Sequence, residues 1–129
     1  MYYVTDTHSL IWFLTEEYKK LGKSALEIYE EAEKRNLTII IPSIVLAETL
    51  AICEKERIEV KFEDLLNKIN DSLNYVIYDL DIEILKEVVK ILKGHDLHDR
   101  IIVATAVLTK SKIITKDEKI TKSKIVEII

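Results

Sequence analysis

Four acidic residues each follow an apolar stretch of this chain, and their order and spacing could bring them together: Asp6, Glu48, Asp99 and Asp117. If those stretches are neighbouring strands and helices of one parallel sheet, the four carboxylates meet at one edge. Carboxylates that close repel each other by roughly 4 kcal/mol per pair at an effective dielectric constant of about 20. A fold that nevertheless collects them commonly does so to hold a hard divalent cation. The pattern therefore indicates metal-dependent chemistry, and phosphate is the group that suits it.

Most of these acids also have a purely structural explanation. Asp6 and Asp117 could each cap the amino end of a helix. Asp99, like its neighbour Asp96, could be a first-turn acid that the helix dipole favours. Both explanations stay open at the level of the sequence.

Glu48 is harder to explain in that way. It is the only charged residue between Ile44 and Cys53, a stretch that is apolar nearly all round and so predicts a buried helix. An unpaired buried carboxylate is costly. The structural alternative is a buried salt bridge to a lysine or to Arg100.

Short β-branched runs alternate with amphipathic stretches along the whole chain. Strands are predicted at residues 2–5, 37–41, 75–78, 112–115 and 125–128, and helices at 7–14, 23–35, 44–53, 61–73, 82–92 and 97–108, with a short helix from about residue 117. Gly94 is expected to end the helix that begins at residue 82. This alternation predicts one α/β domain over residues 1–129, with a mainly parallel central sheet of about five strands and helices on both faces.

The predicted elements place the acids where a site would form. Parallel α/β sheets bind ligands at the carboxyl ends of their strands. Asp6 and Asp117 lie where a predicted strand gives way to a helix, and Glu48 and Asp99 lie about one turn or less into helices that begin at the same edge. Convergence is therefore geometrically possible.

The composition is that of one globular domain with a heavily charged surface. The 129 residues are 48% hydrophobic and 33% charged. Cys53 is the single cysteine, which favours a small core residue in a reducing compartment over a disulfide or a nucleophile. Because no stretch approaches the ~18 apolar residues of a membrane span and no signal-peptide charge block follows Met1, a cytoplasmic protein with no membrane segment is expected.

The net charge of −4 argues against nucleic-acid binding through a broadly basic surface. A metal-bridged phosphate site escapes that objection, since bound cations invert the sign of an acidic pocket. The chain also lacks glutamine and is rich in Ile, Lys and Glu. That bias is associated with proteins that work at high temperature.

Four segments carry a resemblance to a known family. VTDTHSLIWFL, PSIVLAE, HDLHDRIIVATA and IITKDEKI resemble the motifs of the PIN-domain ribonucleases, in particular the toxins of bacterial and archaeal toxin–antitoxin pairs of the virulence-associated protein C type. The matching residues are Asp6, Thr7, His8 and Trp12 in the first segment, Ser43 and Glu48 in the second, Asp96, Asp99 and Arg100 in the third, and Thr115 and Asp117 in the last. Leu97 and His98 stand where the family usually has Pro-Phe.

The resemblance implies a single-strand RNA endonuclease whose Mg²⁺ or Mn²⁺ is held by Asp6, Asp99 and Asp117, with Glu48 completing the acidic quartet. A metal-activated water would attack the phosphodiester. The supporting residues implied by the same motifs are Thr7, Ser43, Asp96, Arg100 and Thr115. Among them, a hydroxyl of Thr115 or Ser43 would orient a carboxylate or a metal water. Arg100 would contact substrate phosphate or act as a buried counter-ion of the quartet.

Other residues are expected to hold the RNA. Six lysines lie between residues 110 and 124, at positions 110, 112, 116, 119, 122 and 124, and could contact the phosphate backbone. The charged surface of a protein adapted to high temperature would show the same enrichment in lysine. His8 is expected to line the site, Trp12 to pack in the core or in a dimer contact, and His95 and His98 to lie at a helix start or on the surface.

The resemblance further implies a homodimer and inhibition by a cognate antitoxin. The antitoxin segment is expected to pack near the charged helices at residues 54–71, where the sequence has apolar positions enough for a partner face.

Three alternatives remain open. A phosphoacceptor signalling domain would need a phosphorylated aspartate ending the central strand, for which Asp79 is available, but Glu48 and Asp99 would then have no role. A catalytically silent RNA-binding or assembly module is disfavoured because all four acids are present. A nuclease could instead use His8 with His95 or His98 as acid and base and leave a 2′,3′-cyclic phosphate.

Overall fold

The computed structural model describes residues 1–55 and 58–116. Its elements in chain order are β1 Tyr2–Thr5, α1 Thr7–Leu14, α2 Tyr18–Leu21, α3 Lys23–Glu33, β2 Thr38–Pro42, α4 Ser43–Glu54, α5 Phe62–Asp71, β3 Tyr75–Tyr78, α6 Ile82–Val88, α7 Leu97–Thr109 and β4 Lys112–Ile114. The predicted helix from about residue 117 and the predicted strand at 125–128 lie outside the described residues.

The described strands form one parallel sheet in the order β3-β2-β1-β4. Val4 of β1 lies opposite Ile40 of β2 and Ile113 of β4. The apolar residues Tyr3 and Val4 of this central strand are buried because helices pack on the faces of the sheet, and Val4 has no exposed surface. The parallel α/β architecture that the alternation predicts is confirmed, and it gathers the carboxyl ends of all described strands at one edge.

The main core fills the space between the sheet and the helices packed on it. It takes Leu10 and Leu14 from α1, Tyr29 from α3, and Ile102 from α7, together with the buried residues of the strands. A smaller cluster joins α6 to α7 through Ile84, Val88, Ile101 and Ala104. None of the described helices is long and apolar enough to cross a membrane.

The prediction of a helix buried on all sides between residues 44 and 53 is wrong. Only Val45 and Thr49 of α4 are buried, while Ala47, Leu50 and Ala51 are exposed. The apolar composition of α4 overstates its burial, since several of its apolar side chains lie on the surface of the described chain. Glu48 therefore lies on a helix that has a solvent face.

The helix that begins at Ile82 ends at Val88, well before Gly94, so the prediction for Gly94 is also wrong. Helix ends leave carbonyl groups without intrahelical partners. Here the guanidinium of Arg100 donates to the carbonyl oxygens of Val88 and Ile91. A side chain from α7 thus closes α6 without a glycine.

Candidate active site

Three of the four predicted acids line the same cavity. Asp6, Glu48 and Asp99 form its acidic wall, and the cavity has a volume of about 340 Å³. The other lining residues are Thr7, His8, Trp12, Ile102 and Lys116. Asp117, the fourth predicted acid, lies outside the described residues.

Asp6 follows the last residue of β1 and begins α1. Its Oδ1 accepts a hydrogen bond from the backbone N–H of Ser9 at 2.9 Å, which is the N-cap of that helix. Its Oδ2 accepts from the hydroxyl of Thr115 at 2.5 Å, from the end of the neighbouring strand. Each carboxylate oxygen has two lone pairs, so one remains on each. Asp6 is therefore both an N-cap and a fixed oxygen donor at the cavity.

Glu48 is held by two side chains from two other elements. Its Oε1 accepts from the hydroxyl of Thr7 at 2.7 Å, and its Oε2 lies 3.1 Å from Nδ1 of His98. The Glu48 side chain is 27% exposed. The alternative of a buried salt bridge to a lysine or to Arg100 is wrong among the described residues, because these two contacts take that place.

Three charged residues at the start of α7 have different surroundings. Asp96 is the N-cap, with Oδ1 accepting from the backbone N–H of His98 at 2.9 Å. Asp99 faces the cavity. Arg100 points to the end of α6, where it donates to the Val88 carbonyl at 2.8 Å and to the Ile91 carbonyl at 3.2 Å. These contacts leave Asp96 and Arg100 in helix-terminating roles.

The sequence predicts that the hydroxyl of Thr115 or of Ser43 orients a carboxylate or a metal water. Thr115 does so for Asp6. The hydroxyl oxygen of Ser43 instead accepts from the backbone N–H of Leu80 at 2.9 Å, which ties the start of α4 to the loop after β3. Ser43 is therefore not among the residues that line the cavity.

Two residues at the site go beyond the sequence prediction. His98 was expected only at the helix start or surface, and although its side chain is 47% exposed it also contacts Glu48. Trp12, expected in the core or in a dimer contact, packs on the core and also lines the cavity. The signals were faint: His98 replaces the usual Phe of its motif, and Trp12 follows His8 by one helical turn.

Other chemically capable groups lie away from this cavity. A second cavity of about 350 Å³ is lined by residues at the ends of α1, α3 and α5 and at the start of β3, including Glu33, Lys68 and Tyr75, and holds none of the motif acids. Burial, with a smaller effect of Glu54, raises the pKa of the Cys53 thiol. A raised pKa disfavours the thiolate and agrees with a structural role for Cys53.

The donor set suits a hard divalent cation, although it is not a closed cage. Carboxylate oxygens are the ligands that Mg²⁺ and Mn²⁺ prefer. Within residues 1–55 and 58–116, no group of three His, Cys, Asp or Glu side chains is close enough to hold a metal ion together. Mg²⁺ commonly needs no such group, because it is bound through one or two carboxylates, several waters and substrate phosphate. The residues therefore fit a cation completed by substrate.

Comparison with solved structures shows that the fold of this chain is similar to that of several known proteins. The chain superposes on a chain of VapBC2 from Rickettsia felis, solved with a promoter DNA fragment, with a TM-score of 0.75 and 19% identity, covering 100% of this chain and 98% of that one. A toxin–antitoxin complex from Klebsiella pneumoniae gives 0.68 and 20%, covering 98% and 94%. FitAcB from Neisseria gonorrhoeae gives 0.68 and 14%, covering 98% and 96%.

Among curated proteins none matches the sequence significantly. At the level of the family the result is clear, since the model of the PIN domain matches residues 3–125. That stretch includes all four segments whose motifs resemble the family. The chain therefore belongs to the PIN domain family.

Proposed function

We propose that this protein is a metal-dependent endoribonuclease and the toxin of a toxin–antitoxin pair. The observation that carries the proposal is that Asp6, Glu48 and Asp99, from three separate elements, line one cavity in a PIN-domain chain. The similar structure from Klebsiella pneumoniae, which is named as a toxin–antitoxin complex, supports the toxin assignment. The reaction would be hydrolysis of an RNA phosphodiester.

Asp6 and Asp99, with Asp117, would hold Mg²⁺ or Mn²⁺, and Glu48 would complete the acidic set. A bound divalent cation supplies Lewis-acid polarisation of the phosphodiester and acidifies water. The chain's own contribution is to fix the carboxylates: Thr115 orients Asp6, and Thr7 orients Glu48. Loss of such an outer contact typically costs roughly 10–100-fold in metal affinity or activity.

The proposed partners are a second copy of the chain and a cognate antitoxin. The antitoxin would pack near residues 54–71, where α5 buries Leu65 and Ile69 and leaves its charged positions at the surface. Light scattering of the purified chain should give the mass of a dimer, and a co-expressed antitoxin should co-purify and suppress cleavage. A monomeric mass would remove the dimer from the proposal.

Cleavage of a mixed-sequence RNA with and without EDTA tests the reaction. We expect cleavage only with Mg²⁺ or Mn²⁺, and products with 5′-phosphate and 3′-hydroxyl ends, because water and not the ribose hydroxyl is the nucleophile. Asp99→Asn should abolish cleavage while the protein stays folded. Asp64→Asn, an exposed acid on α5, is the matched control and should cleave like the wild type. Full activity in EDTA would sink the metal mechanism.

Metal binding can be tested separately from activity. Millimolar Mn²⁺ should raise the melting temperature of the wild type by mass action, roughly 2–5 °C if the site is well saturated. Glu48→Gln should lose most of that shift, whereas Glu54→Gln, at the exposed end of the same helix, should keep it. An equal metal response in both variants would mean that Glu48 is only structural.

Histidine-assisted cleavage is the second candidate, because the structure places His8 at the cavity and His98 against Glu48. It predicts cyclic phosphate ends that form in EDTA.

A silent RNA-binding module would bind without cutting. The phosphoacceptor alternative loses its support, since Asp79 follows β3, which has a neighbour on one side only in the described sheet.

A further inference from the structure

The cavity has a second wall that the acids do not explain. His8 and Trp12 lie four residues apart on α1, so both side chains project from the same face of the helix. Their ring centroids are 5.8 Å apart with the planes tilted by 46°. His8 is exposed and Trp12 is half-buried. Two aromatic rings thus border the same space as the carboxylates.

A lysine completes this wall. Nζ of Lys116 lies 5.8 Å from the centroid of the Trp12 ring. The same ammonium donates a hydrogen bond to the carbonyl oxygen of Lys20. An ammonium has three donors, and this contact uses one. A positioned cation therefore lies beside the rings and within the lining of the cavity.

The combination selects one class of ligand. Carboxylates with a divalent cation suit a phosphate, while aromatic faces suit a flat ring, and a nucleotide presents both groups one sugar apart. Bases that are not paired stack on aromatic side chains in most single-strand recognition. An acidic peptide would be repelled by the three carboxylates of the cavity. An apolar ligand would make no favourable electrostatic contact with the ammonium of Lys116.

We propose that Trp12, His8 and Lys116 form a nucleobase subsite, in which an unpaired base next to the cleaved phosphodiester stacks on the Trp12 ring. The inference rests on the proposed function, because it assigns the base beside the bond that the acids would cleave. Lys116 lies at the edge of the stacked base or at its phosphate. His8 closes the outer side of the subsite.

Trp12 is the only tryptophan of the chain, so its fluorescence reports on this subsite alone. The first experiment titrates the full-length Asp99→Asn protein in Mg²⁺ with a short unstructured RNA. We expect saturable quenching, and loss of quenching when the RNA is first annealed to its complement. The RNA is then tested with an abasic residue at each position in turn. One position should weaken binding roughly tenfold.

Variants separate stacking from charge, with anisotropy of a labelled RNA as the readout. Trp12→Phe keeps a ring and should bind nearly as well as the parent, whereas Trp12→Leu and Lys116→Met should bind more weakly. Tyr18→Leu and Lys19→Met, exposed residues of α2 outside the cavity lining, are the matched controls and should leave binding unchanged.

The possible failures can be told apart. Absence of quenching, or equal affinity for every abasic RNA, would overturn the subsite even if the wild type cleaves RNA. Base-dependent quenching in a protein whose wild type never cleaves would overturn the proposed reaction and leave the subsite standing.

Discussion

Asp6 shows that a helix cap and a site ligand are not competing explanations for one residue. The sequence left these two explanations open, and the structure has the carboxylate capping α1 through Ser9 while it lines the cavity. The cap and Thr115 use one lone pair on each oxygen and leave the others. Capping and the Thr115 bond therefore preorganise the oxygen atoms that the proposed cation would need.

His98 stands where the motif of the family usually has Phe, and in this chain its ring contacts Glu48. We expect His98→Phe to lower RNA cleavage roughly tenfold, because Glu48 loses the contact that orients its Oε2. His98→Asn can place an amide donor near the former Nδ1 and should recover most of the rate. Steady-state kinetics on one RNA would measure both.

The control for His98 is its exposed neighbour Leu97, since Leu97→Ala alters the same helical turn without touching Glu48. Unchanged cleavage by His98→Phe would show that the contact with Glu48 is incidental. Equal losses in His98→Phe and His98→Asn would point to a role of the imidazole itself.

At the scale of elements, α7 divides its first turn between structure and site. Asp96 caps it, Asp99 reaches the cavity, and Arg100 closes the end of α6. At 3.6 residues per turn, adjacent residues point about 100° apart. Charged residues that form one motif in the sequence therefore make contacts in three different parts of the structure.

Arg100→Met tests the structural part of that division. We expect it to lower the free energy of unfolding by about 1–3 kcal/mol, because the Val88 and Ile91 carbonyls lose their charged donor. Urea unfolding would measure the change. Lys86→Met, which removes only an exposed ion pair with Glu83, is the control and should change stability little. A raised KM for RNA at unchanged stability would instead return Arg100 to phosphate binding.

At the scale of the whole molecule, a buried tyrosine joins the core to the strand that ends next to Asp6. The Tyr29 hydroxyl is hydrogen-bonded to the hydroxyl of Thr5, and its ring stacks on Phe13 with centroids 4.4 Å apart. Complete burial raises the pKa of Tyr29 well above its ordinary value, although the Thr5 hydrogen bond opposes that shift. Folding thus requires the neutral phenol at this position.

Alkaline pH should therefore weaken the fold. The unfolded chain releases the Tyr29 proton near pH 10, whereas the folded chain retains it, so the stability that Tyr29 provides is complete below about pH 10 and is lost above it. Tyr29→Phe should cost about 1 kcal/mol at neutral pH through the lost hydrogen bond, yet its stability should fall less steeply above pH 10. Denaturant unfolding across that range measures both effects.

Tyr18→Phe, at an exposed tyrosine, is the control and should leave the alkaline decline unchanged. Burial also raises the pKa of Tyr75, with a further contribution from Glu33, so part of the decline should remain in Tyr29→Phe. An identical decline in the wild type and Tyr29→Phe would contradict the assignment.

The sequence alone determined the architecture and the identity of the acids. Its β-branched runs and amphipathic periods predicted every described strand to within a residue or two, because burial of both faces of a parallel strand leaves a continuous apolar signature. The motif order then singled out Asp6, Glu48 and Asp99, whose side chains line one cavity in the structure.

The tertiary structure alone decided what each polar side chain touches. The partners of Glu48, Arg100 and Ser43 lie 50, 12 and 37 residues away in the chain, at His98, Val88 and Leu80. Local periodicity reports which face of an element is apolar, but not which element packs against it, and hydrogen bonds over such separations depend on that packing. The sequence therefore predicts neither the hydrogen-bond partners of the acids nor the aromatic residues beside them. Both depend on how α1, α4, α7 and β4 pack together at one edge of the sheet.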